Sequence, residues 1–72
     1  MKSSFKLLDS VAILKDVPAQ GVVYGQVGTI VEVLGGDVFE VEFSDKRGQT
    51  ISEFALGADD LLLLHHDAVK TN

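Results

Sequence analysis

The sequence predicts a small all-β domain of five strands, and three observations lead there. Its apolar residues fall in short runs rich in Val, Ile, Leu and Phe, of strand length and too short for helices. Glycines separate the runs: Gly21, Gly25 and Gly28, then the pair Gly35-Gly36, then Gly48 and Gly57. From Phe39 to Phe43 apolar residues alternate with glutamates, the period of two of a strand with one face in a core and the other in water. A chain of 72 residues is one domain at most, close to the lower limit for burying a useful core. The whole chain, 1–72, is expected to form that domain, with its core in about residues 7–64 and a short tail at each end. Five strands in a meander, with too few residues for two full sheets, predict a closed or nearly closed barrel, which leaves no exposed sheet edges.

The elements follow in order. Ser10 to Leu14 is the first strand, and Lys15 to Val27 a long loop carrying the single proline, Pro18. Gly28 to Leu34 is the second strand, Val38 to Phe43 the third and Gln49 to Leu56 the fourth. Between the last two, Ser44-Asp45-Lys46-Arg47-Gly48 supplies polar turn residues and a glycine free to take positive φ. Asp59-Asp60 opens one turn of 3₁₀ helix, and a last strand covers Leu62 to Leu64.

Face parity selects the hairpin between the second and third strands. Phe39, Val41 and Phe43 share one face; Val38, Glu40 and Glu42 share the other. A three-residue loop of Gly35, Gly36 and Asp37, with a bulge, pairs Val33 with Phe39 and Val31 with Val41, so that all five face one core. A tight Gly-Gly turn would send Glu40 inward, at a cost of about several kcal/mol for an unpaired buried charge. In the fourth strand Ser52, Phe54 and Leu56 are expected inward, with Ile51 and Glu53 outward.

Composition narrows the function. An apolar fraction of 46% with 24% charged residues marks a globular chain, and the absence of cysteine removes disulfides and thiolate metal sites. Six basic against eleven acidic residues give a net charge of −5, which argues against nucleic acid or an anionic membrane as partner. Lys6, Asp9 and Lys15 interrupt the apolar stretch after Met1-Lys2, so no signal peptide is expected. No window approaches the roughly 18 apolar residues of a membrane span. The expected location is cytoplasmic.

Several segments together carry a resemblance. Val11-Ala12-Ile13-Leu14, the loop with Gly21 and Gly25, Gln26-Val27-Gly28-Thr29-Ile30-Val31-Glu32-Val33 and Val38-Phe39-Glu40-Val41-Glu42-Phe43 resemble the SH3-like and KOW-like small barrels. From Leu7 to Leu64 the chain looks like a short bacterial family of uncharacterised function. It is more distantly similar to the small SH3-like subunit of photosystem I, which also has a Val-Gly-Thr-Val strand and a Phe-Ala-Leu segment, here Phe54-Ala55-Leu56. The resemblance implies a five-stranded SH3-like (KOW-like) barrel with one 3₁₀ turn before the last strand, and it brings no catalytic signature. For the KOW-like relatives it implies contact with RNA or with protein; for the photosystem subunit, a place in a larger complex.

The candidate site is a stripe of carboxylates. Under this register Glu32 lies opposite Glu40, Glu42 stands two residues along, and Glu53 sits on the adjacent strand. Like charges facing each other across strands cost a few tenths of a kcal/mol each, roughly. Such a stripe either meets a basic protein or simply keeps a strand face in water, with Lys15 or Lys46 neutralising part of it. Tyr24, with Val22 and Val23, is a second candidate contact on the long loop. Leu61 to Leu64 is apolar on both faces, so its outer face is either covered by Phe5, Leu7 or Leu8 or left as a patch for a dimer or partner.

Other constellations carry less. His65-His66-Asp67 invites a metal reading, but adjacent residues in an extended chain point to opposite sides. Gly21, Gly25 and Gly28 precede no helix and no Lys-Ser or Lys-Thr pair, so they read as turn glycines, not a phosphate loop. No nucleophile stands beside a base, and carboxylates on a flat face lack the cleft of a glycosidase pair.

The sequence therefore predicts a non-catalytic protein-interaction module with no cofactor and no metal, a monomer or weak homodimer. Its expected partner is a basic protein bound through the acidic strand face, in an antitoxin-like, immunity-like or accessory setting. The alternatives are a KOW-like nucleic-acid or ribosome-associated module and a structural subunit of a larger complex.

Overall fold

The computed structural model describes residues 5–64; the His65-His66-Asp67 triplet lies outside them. The elements are β1 (Ser10–Ile13), a 3₁₀ turn at Pro18–Gln20, β2 (Val27–Gly35), β3 (Val38–Ser44), β4 (Thr50–Gly57), a second 3₁₀ turn at Ala58–Asp60, and β5 (Leu61–Leu63). All five strands form one antiparallel sheet in the order β4-β3-β2-β1-β5. The all-β class, the five strands and the 3₁₀ turn before the last one match the sequence reading. Closure does not. Among the described residues no ladder joins β4 to β5, because β5 has three residues and its pairing goes to β1. The long β1–β2 loop instead reaches the start of β4 through side chains, with the Ser52 hydroxyl donating to Gln20 Oε1 at 2.5 Å.

The core is continuous across the sheet. Val11 and Ile13 from β1, Val22 from the loop, Ile30 from β2, Phe39, Val41 and Phe43 from β3, Leu56 from β4 and Leu61 from β5 are buried together. Phe5 lies over Phe39 with ring centroids 5.5 Å apart, and Phe54 stacks on Phe43 at 5.4 Å. In β4, Ser52 and Leu56 are buried and Phe54 is half-buried, while Ile51 and Glu53 are exposed, as their parity required.

The central hairpin keeps one expected pair and changes another. Val33 does pair with Phe39, but through a two-residue turn of Gly36 and Asp37, with Gly35 opposite Val38 and Leu34 bulged between the two pairs. Both turn residues have positive φ, 59° and 64°, the geometry of a type I′ turn whose twist suits a hairpin. The expected three-residue loop is thus a tight turn plus a bulge, and Glu40 stays out of the core.

A second bulge at Val31 moves Ile30 opposite Val41. The buried wall is therefore Ile30, Phe39, Val41 and Phe43. Val31 is only partly buried, and Val33 remains 50% exposed. The bulge lets β2 be inward at even positions before Val31 and at odd positions after it.

Gly28 shows why the even positions face in at the start of β2. It lies opposite Phe43. A Cβ there would come within 2.8 Å of Phe43 Cε1 and Val41 Cγ1, and within 2.9 Å of the Glu42 carbonyl oxygen. Substituting Gly28→Ala should destabilise the fold by about 1–3 kcal/mol through overpacking. Gly57→Ala, where no atom lies within 4 Å of the new Cβ, should stay within about 0.5 kcal/mol of the parent. Urea unfolding of the two variants checks this, and equal losses would contradict the close approach at Gly28.

Candidate functional site

The outer face of the sheet is set by what β3 buries. With Phe39, Val41 and Phe43 turned inward, Glu40 and Glu42 must point out, and both neighbouring strands bring a glutamate to meet them. Glu32 of β2 is the register partner of Glu40, and Glu53 of β4 is the register partner of Glu42. Four carboxylates from three strands thus occupy one face.

Backbone hydrogen bonding fixes how near they come. The Ile30 N–H donates to the Asp9 carbonyl at 2.9 Å, and the Ile30 carbonyl accepts from the Leu8 N–H at 2.8 Å, so Ile30 turns its peptide groups away from β3. Its partner Val41 therefore directs its own N–H and C=O toward β4. By alternation Glu42 bonds to β2 and faces Glu53 across a non-hydrogen-bonded pair, the closer of the two kinds. The Ala58 N–H donating to the Asp37 carbonyl at 2.8 Å continues the same alternation.

Little offsets this charge. The Thr50 hydroxyl donates to Glu42. Lys15, one of the two cations proposed to neutralise the stripe, instead pairs with Asp60 at 2.9 Å at the end of β1. Lys46 makes no ion pair among the described residues. Loss of hydration, a hydrogen bond with Glu40 and the negative charges of Glu40, Glu42 and Glu32 hold the Glu53 carboxyl above the usual glutamate range.

The other sequence candidates are placed elsewhere. Tyr24 stays on the β1–β2 loop, 65% exposed, with its N–H donating to Asp16 Oδ1 at 2.8 Å. Val22 beside it belongs to the core, so it is not a contact residue. Leu7 and Leu8 do not cover β5: both are exposed, Leu8 with φ of 70° at the tip of a turn closed by the Asp9 N–H on the Lys6 carbonyl. Leu62 is 52% exposed and aligns across the sheet with the buried Ala12 and the exposed Val27, an apolar row on the side of β1 away from Val11 and Ile13. Sequence reading did not find that row, because it needs the β5–β1–β2 register.

No helix among the described residues is long and apolar enough to cross a membrane. No group of three or more His, Cys, Asp or Glu side chains among them is arranged to hold a metal ion. Carboxylates on a flat strand face lack the enclosing loop that a hard cation needs.

The raised Glu53 pKa has a definite sign. The folded chain holds the proton to higher pH than the unfolded chain, so Glu53 lowers stability at neutral pH, and that cost vanishes as pH falls through the raised pKa. Glu53→Gln should melt above the parent at pH 7, with the gap closing toward the ordinary glutamate range and in high salt. Thermal melts across pH test this; a gap that is absent or independent of pH would contradict it.

Comparison with curated proteins and with solved structures finds no match. Residues 7–63, which take in all five strands, match the family described as Domain of unknown function (DUF4926), and the chain belongs to that family.

Proposed function

We propose that this chain is a non-catalytic protein-interaction module that binds a basic protein through the face carrying Glu32, Glu40, Glu42 and Glu53. The observation that carries the reading is the gathering of four carboxylates from three strands with no ion pair to them among the described residues. Cross-strand like charges oppose folding, so the arrangement costs stability that a cationic partner would return. Charges at the rim of such a contact raise association rate and select the partner more than they add affinity. A cytoplasmic antitoxin-like, immunity-like or accessory protein is the setting that fits best. The strand order, with a 3₁₀ turn before β5, supports an SH3-like layout, the scaffold of the KOW-like alternative. The net charge of −5 weighs against the RNA contact that this alternative would bring.

The test is affinity capture from the host with the parent chain and with a triple variant, Glu32→Lys, Glu40→Lys and Glu42→Lys. A protein retained by the parent, eluted by salt and lost with the triple variant is the expected result. Retention that charge reversal leaves unchanged, or capture of RNA in its place, would overturn the reading.

A further inference from the structure

The alternation that turns Val41 toward β4 also decides what β4 offers on its other side. Phe39, Val41 and Phe43 exchange backbone hydrogen bonds with Leu56, Phe54 and Ser52, their register partners. The residues between, Glu53, Ala55 and Gly57, direct N–H and C=O away from β3. Among the described residues these groups meet no further strand, because β4 ends the sheet. The start of β4 is different. Ile51 is bulged, and its Cγ2 stands 4.0 Å from where a Cβ on Gly21 of the long loop would lie. The open stretch therefore begins at Glu53.

We infer that the free edge of β4 at Glu53, Ala55 and Gly57 accepts an extended basic segment of a partner protein as a sixth strand. This rests on the acidic-face reading and names how the partner is held. Main-chain hydrogen bonds to an open edge supply affinity in such additions, and alternate side chains supply specificity. A residue of the added strand beside Glu53 lies on the outer face, where a lysine or arginine reaches Glu53 directly and Glu42 across the sheet. Its neighbours turn to the inner face, beside the half-buried Phe54, where an apolar side chain fits. The segment recognised thus alternates basic and apolar residues. A second copy of this chain is the wrong occupant: pairing β4 with β4 would bring another Glu53 to an already crowded acidic face.

The probe is a synthetic peptide of alternating lysine and valine, compared with the same peptide N-methylated at every second residue along its bonding edge. Amide hydrogen exchange read by NMR on the full chain reports the edge directly. Expected are slower exchange at the Glu53 and Ala55 amides by about tenfold or more, and about tenfold weaker binding of the N-methylated peptide. Ala55→Pro removes an N–H that faces outward and leaves the β3 ladder intact, so it should abolish protection. If that variant fails to fold, the peptide pair alone decides the matter. Binding of both peptides equally, with shifts over Glu32 and Glu40 but no protection at Glu53 and Ala55, would overturn the edge and leave the acidic face standing. No binding of either peptide would overturn both.

Discussion

The strict alternation along β3 is the constraint from which the rest follows. Phe39, Val41 and Phe43 are buried, and β3 lies between β2 and β4, so its register cannot slip by one residue without turning two glutamates into the core. The neighbouring strands adapt to it. β2 bulges at Val31 and Leu34 and β4 at Ile51, and the bulge at Val31 keeps Ile30 inward where the plain register would lose it. Gly28 completes the fit by giving Phe43 the space a side chain would take.

The same alternation makes the acidic face unavoidable. Glu40 and Glu42 are fixed outward by their buried neighbours, and the register then places Glu32 and Glu53 opposite them. Exposure to solvent keeps the repulsion small at physiological salt. The face therefore persists as a field with no ion pair to it among the described residues, next to the row of Leu62, Ala12 and Val27.

Much of this was legible in the sequence where a local rule applied. The period of two from Phe39 to Phe43 gave the inner wall of β3, the polar turn at Asp45 with Gly48 at φ of 80° gave the second hairpin, and the opposition of Glu32 and Glu40 came out of the parity argument. The errors arose where two β-branched residues stood side by side. Ile30 and Val31 are equally apolar, so parity carried back from the turn chose Val31, and only the bulge reverses that choice. Gly28 was the available signal, since a glycine inside a strand often marks a close approach. Sheet closure was misjudged for a different reason. Strand count suggests a barrel, but whether β4 meets β5 depends on which neighbour the three-residue last strand pairs with, and no local pattern fixes that.

The central claim is tested most directly by cross-strand contacts between Cα protons in solution. Non-hydrogen-bonded antiparallel pairs bring these protons close, so strong nuclear Overhauser effects are predicted between Ile30 and Val41 and between Glu42 and Glu53. An effect between Val31 and Val41 in place of the first would remove the bulge, and the loss of the second would dissolve both the acidic face and the open edge of β4.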